Sequence, residues 1–85
     1  MKIVFTKHAE IELIRRKIEK KLVINTIKNP QQKSRFEDLY IYQSKYFDKN
    51  LKKEMLLRIF IKEGLKGLEV ITVYKTSKIK KYWKV

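Results

Sequence analysis

Residues 55–83 read MLLRIFIKEGLKGLEVITVYKTSKIKKYW, and the fold follows from how this stretch is divided. It gives a strand, a glycine-containing turn, a second strand and a basic tail. Strand side chains alternate faces. Met55, Leu57, Ile59 and Ile61 therefore share one face, and Leu56, Arg58, Phe60 and Lys62 the other. In the second strand Ile71 and Val73 are expected on the apolar face, with Val70, Thr72 and Tyr74 opposite. A hairpin across Gly64 and Gly67 brings Arg58 near Thr72 and Tyr74. A lone arginine among apolar neighbours is costly if buried and unpaired. Arg58 is thus either the centre of an anion site or a solvent-facing, acid-paired residue on a half-exposed sheet.

Outward from this hairpin, the preceding segment is also strand-like. Leu39 to Phe47 (LYIYQSKYF) is rich in β-formers, and Arg35 to Glu37 is a weaker strand before it. Tyr40, Tyr42, Ser44 and Tyr46 alternate against Leu39, Ile41, Gln43 and Phe47. Asp48-Lys49-Asn50 supplies a turn, and Lys53 begins the long strand. A tyrosine ladder among basic residues can stack on bases or serve as cross-strand packing.

The amino-terminal third is helical. Lys2 to Phe5 is a short strand, and Thr6 has the character of a helix N-cap. The spacing predicts a helix from Lys7 to about Lys17 with Ala9, Ile11, Leu13, Ile14 and Ile18 on its apolar arc. His8, Glu12, Arg15 and Arg16 fall on the polar arc. A second helix runs from about Glu19 to Lys28, burying Leu22, Val23 and Ile27, and Asn29-Pro30 ends it. The short link between them makes an αα-hairpin. Two basic helices in tandem also admit a helix-turn-helix reading. After the last strand, Thr76 or Ser77 can cap a terminal helical turn through Ile79 and Tyr82.

The chain has 85 residues and a net charge of +13, spread over its length. Residues 1–30 carry a balance of +5 and residues 31–85 a balance of +8. Such a field attracts polyanions, nucleic acid first and an acidic protein next. Genome bias or life at high temperature would produce the same lysine-rich composition. The length suits one domain with a small core. The absence of cysteine removes disulfides and thiolate metal sites, and a single histidine removes His-rich zinc ligation. No cofactor motif is present: the only glycines are Gly64 and Gly67, so there is no Gly-rich phosphate loop. The amino end becomes charged too early for a signal peptide, and no run approaches the ~20 apolar residues of a membrane span. The expectation is a cytoplasmic protein.

The order strand, two helices, four strands comes with particular residues. These are Thr6-Lys7-His8-Ala9, Arg16 with Ile18, Asn29-Pro30, Leu57-Arg58-Ile59 and Ile71-Thr72-Val73-Tyr74-Lys75-Thr76. In that order and spacing the chain resembles, over nearly its whole length, the short proteins grouped as domain of unknown function 4258. These are similar to the BrnT and RelE toxins of toxin–antitoxin pairs. The family often has an arginine where this chain has Glu12 and a glycine where it has Lys17. The resemblance implies an α+β fold, two N-terminal helices packed on a curved antiparallel β-sheet. It also implies an endoribonuclease that needs no metal, with a small antitoxin protein as partner and RNA, free or ribosome-bound, as substrate. In such chemistry the ribose 2′-OH attacks the adjacent phosphorus, leaving a cyclic phosphate and a free 5′-OH. It requires a proton acceptor, a proton donor and cations for the phosphorane charge.

The expected catalytic residues are His8, Arg58 and Tyr74. His8 is the one side chain whose ordinary pKa lies near neutrality, and it sits at an anion-attracting helix terminus. Arg58 would clamp the phosphate, and Tyr74 would donate a proton or orient the scissile group. Arg16, Lys75, Thr76, Lys78, Lys81 and Tyr82 are the expected RNA- and phosphate-binding residues, with Trp83 able to stack on a base. Two other classes stand beside the ribonuclease: a non-catalytic RNA- or DNA-binding module, and a protein that docks an acidic partner.

Overall fold

The computed structural model of the chain describes residues 2–85. The long hairpin is its centre: β4 (Lys53–Gly64) pairs antiparallel with β5 (Gly67–Thr76), with Gly64 opposite Gly67. On its other side β4 pairs with β3 (Leu39–Asp48), which pairs with β2 (Gln32–Phe36). The β3–β4 turn is fixed by Asp48, whose Oδ1 accepts the Asn50 and Leu51 N–H groups at 2.9 and 3.0 Å. The strand β1 (Ile3–Phe5) adds to the free edge of β5 in parallel. The fold is therefore α+β, with a mixed sheet in the order β1-β5-β4-β3-β2, and not the wholly antiparallel sheet expected. The parallel addition depends on Gly67. Its φ is +137°, and a Cβ there would collide with the Lys2 carbonyl, which accepts the Leu68 N–H at 2.8 Å.

A β-bulge decides what faces where. Phe60 pairs with Thr72, but Ile61 pairs with Val70, so Ile71 is one residue too many. Val70 therefore joins Val73 in the core, both fully buried, and Ile71 stands only half-buried. The expected assignment of Ile71 to the core and Val70 to the other face is reversed. The bulge has a second effect. Without it Arg58 would face Val73; with it Arg58 pairs with Tyr74.

Helix α1 (Lys7–Arg15) begins at Thr6, whose Oγ1 accepts the Ala9 N–H at 3.1 Å and donates to the Ile71 carbonyl at 3.2 Å. It ends in a Schellman arrangement, with Ile18 N–H donating to Leu13 O and Lys17 N–H to Ile14 O. Lys17 adopts φ +54°, the left-handed conformation this end requires. Helix α2 (Lys20–Lys28) follows. The main core is a cluster of Ala9, Leu13, Ile18, Val23 and Ile27 from the helical segment with Tyr42, Leu57, Ile59, Ile61, Leu68, Val70 and Val73 from the sheet.

The inward stripe of α1 differs from the expected apolar arc. Ala9, Glu12 and Leu13 are buried, whereas Ile11 and Ile14 are 52% and 80% exposed. The cause lies in β5. β1 stops opposite Val70, which leaves the β5 edge beyond it without a partner strand, and α1 lies against this strand. Arg16 Nη1 donates to the Val73 carbonyl at 2.8 Å. Glu12 Oε2 is held by the charges of Arg16 at 2.8 Å and Arg15 at 3.3 Å, and by no hydrogen bond. Satisfying a backbone acceptor and its counter-charge turns Glu12 and Arg16 toward the sheet and the two isoleucines outward.

Among the described residues, no helix is long and apolar enough to cross a membrane. The terminal turn α3 (Ile79–Tyr82) follows β5. Thr76 Oγ1 accepts the Lys78 N–H at 3.1 Å, one residue ahead of the helix, so it anchors the turn without capping it.

Candidate RNA-binding site around Arg58

The register puts Tyr74, Arg58, Gln43 and Gln32 in one cross-strand row on the face away from the core helices. Arg58 is 9% exposed. Its Nε donates to Gln43 Oε1 at 2.9 Å and its Nη1 to the Tyr74 hydroxyl at 2.7 Å. Both partners are neutral, and among the described residues no carboxylate pairs with it. Aromatic rings replace the missing counter-charge. The guanidinium carbon lies 4.2 Å from the Tyr82 ring centre and 5.7 Å from those of Phe60 and Tyr74. Cation–π contacts of this kind contribute about 0.5–2 kcal/mol each. Two of the guanidinium nitrogens are engaged, and Nη2 has no hydrogen-bond partner among the described residues.

The carboxyl-terminal segment is laid across this row. Gln43 Nε2 donates to Gln32 Oε1 at 2.7 Å and to the Tyr82 carbonyl at 3.1 Å. Gln32 in turn takes the backbone of Lys84, accepting its N–H and donating to its carbonyl. Lys45 Nζ sits 4.1 Å above the Trp83 ring. The two glutamines thus tie down the turn that places Tyr82 over Arg58. Burial raises the Tyr82 phenol, but the Lys81 ammonium, the Tyr74 hydroxyl and Arg58 outweigh it and bring the group below its ordinary value.

The expected site residues divide into three sets. Arg58, Tyr74 and Tyr82 come together. Thr76 lies on the same face, and Lys78 and Lys81 flank it on an open groove also lined by Lys45, Lys80 and Glu54. His8 is exposed at the rim, its Nε2 3.4 Å from Thr72 Oγ1, one same-face position along β5 from Tyr74. Arg16 and Lys75 stand apart. Arg16 is committed to Val73 and Glu12. Lys75 is on the helix-covered face, 3.0 Å from Asp48 Oδ2. There the Leu51 N–H and the Lys75 ammonium hold the Asp48 carboxyl down at about 2, and burial beside Asp48 pushes the Tyr46 phenol up.

Gln43 and Gln32 were not among the expected site residues. Gln43 is 1% exposed and is a polar interruption of the Leu39–Ile41 stripe. Counting back from the Asp48 turn along both strands places it opposite Arg58, so its signal was in the sequence. Gln32 carries none, because its role depends on where the chain end returns. Among the described residues there is no cluster of His, Cys, Asp and Glu that could hold a metal ion. No protein-family model, curated protein or solved structure matches the chain.

Proposed function

We propose that the protein is a metal-independent endoribonuclease with a RelE- or BrnT-like fold, the toxin of a toxin–antitoxin pair, acting on RNA at the Arg58 face of the sheet. The observation that carries this reading is the Arg58 guanidinium: buried, bonded only to neutral groups, and at the floor of a basic, aromatic face. A buried cation without a carboxylate is expensive as architecture and is suited to an incoming phosphate. Nη2 contacts the scissile phosphate. The Tyr74 hydroxyl accepts from Arg58 and so keeps its own proton to donate outward. His8 takes the 2′-OH proton from the rim, and Lys78 and Lys81 hold flanking phosphates. Tyr82 and Trp83 offer ring faces to a base. The left-handed φ of Lys17 fits the glycine of the resembled family at that position.

A second reading, a non-catalytic RNA- or DNA-binding module, is favoured by a different feature. Tyr82 closes over Arg58, and Gln32 and Gln43 hold that closure.

Incubation with labelled RNA in EDTA, beside Arg58→Met and His8→Ala proteins of checked fold, separates the two. Products ending in cyclic phosphate, lost in both variants while His8→Ala still binds RNA, support the ribonuclease. Salt-sensitive binding with no product, even when ribosomes are supplied, overturns it in favour of the module.

A further inference from the structure

The outward face of α1 is unexplained by the fold or by the Arg58 site. Ile11 and Ile14 lie one turn apart on it, 52% and 80% exposed. Ile14 continues into an open groove shared with Leu13, Ile18, Glu10 and Lys20. Single exposed apolar residues are ordinary, but a contiguous apolar strip marks a contact surface. Its rim is mainly cationic: Lys7, Arg15 and Lys17 are exposed, with Arg15 also 3.3 Å from the buried Glu12, and of the acids nearby Glu10 is paired with Lys20 while Glu19 is exposed.

We infer that this face docks a partner protein through an acidic amphipathic helix, apolar side chains on Ile11 and Ile14 and carboxylates on the lysine and arginine rim. The charge decides the occupant. A second copy of this chain would bring another +13 and the same cationic rim against the first, which repels. A helix that offers apolar residues at every third and fourth position with glutamates between them matches both the strip and its border. The inference is independent of the ribonuclease reading, because α1 turns this face away from the sheet that carries Arg58.

The test uses the full chain and a panel of cross-linked helical peptides of about four turns, since shorter free helices are marginal in water. They carry leucine or isoleucine on one face and glutamate elsewhere; scrambled peptides of the same composition serve as controls. Fluorescence anisotropy is expected to show binding by patterned peptides only, weakened more than tenfold by Ile14→Ser and by the Ile11→Ser/Ile14→Ser pair. Phe47→Ser, which alters an apolar side chain 63% exposed elsewhere, is expected to bind as the parent does. RNA binding and the melting temperature serve as readouts that the Ile14→Ser change leaves in place. Four results overturn the inference: no patterned peptide binding; equal binding of scrambled peptides; Ile14-dependent self-association in sedimentation; or Ile14-dependent binding to phosphatidylglycerol vesicles without peptide binding.

Discussion

The two faces of the sheet are built from the same strands and solve different problems. On the helix-covered face, Leu57, Ile59, Ile61, Val70 and Val73 meet the apolar residues of α1 and α2. Its edge is closed by paired polar groups: Asp48 with Lys75, and Glu63 accepting from Tyr42 at 2.6 Å while pairing with Lys33 at 3.1 Å. On the other face a cation sits among neutral amides and phenols beneath a short carboxyl-terminal turn. Every buried charge on the first face has an opposite charge beside it; Arg58 on the second has none. Stability explains the first arrangement and not the second, and that asymmetry is the reason to look for function at Arg58.

The comparison breaks or holds on two substitutions in adjacent residues of β4. Ile59→Ala removes a fully buried side chain from the core face and is expected to destabilise by about 2–5 kcal/mol in urea unfolding. Arg58→Met removes the unpaired cation but leaves the buried Gln43 Oε1 without its donor, so a loss of no more than about 1–3 kcal/mol is expected. Its RNA affinity is expected to fall at least about tenfold, the worth of one charge-assisted hydrogen bond. A stability loss in Arg58→Met as large as that of Ile59→Ala would make both faces structural and remove the argument.

Gly67→Ala tests how far the mixed topology supports the core face. The substitution forces a side chain into φ +137° and against the Lys2 carbonyl. A loss of about 1–3 kcal/mol is expected, with amide exchange rising first along β1. Asp48→Asn tests the ionic edge through pH. The folded carboxyl is held near 2, below its usual 3.8, so its stabilisation is complete above about pH 4 and disappears as pH falls through 2. The parent is therefore expected to lose stability across that window. Asp48→Asn is expected to be less stable than the parent at neutral pH and to show a shallower acid slope. Parallel acid profiles would mean that Asp48 is not the group that matters.

The α+β class and the element order were legible because strand alternation, Thr6 and the Asn29-Pro30 stop are local signals; Arg58 was expected near Tyr74, but their direct pairing comes from the Ile71 bulge. What was not legible depends on contacts far apart in sequence. The parallel pairing of β1 is carried by Gly67 against Lys2. The Ile71 bulge reverses two faces with no change of composition. Glu12 lies inward because a carbonyl of β5 needs Arg16, which a helical projection cannot contain. The same limit affected the site: Lys75 alternates onto the helix face one residue after Tyr74, while Gln32 acquires its role only when Lys84 arrives.

The smallest expected effect concerns that arrival. Gln32 is half-buried on the edge strand, and its amide bonds to Lys84 and Gln43. Truncation to alanine therefore removes little core, and a stability change of no more than about 1 kcal/mol is expected. Its specific consequence is on the outer face. Freed from Gln32, the Tyr82–Lys84 segment is expected to swing, and the Tyr82 ring to leave Arg58. The departure is read from the Arg58 side-chain N–H resonance, which loses the ring current of a Tyr82 ring whose centre lies 4.2 Å from the guanidinium carbon. RNA binding then tells what the closed segment is for. Tighter binding by Gln32→Ala means that Tyr82 covers the anion site, and weaker binding means that the ring held in place is part of it.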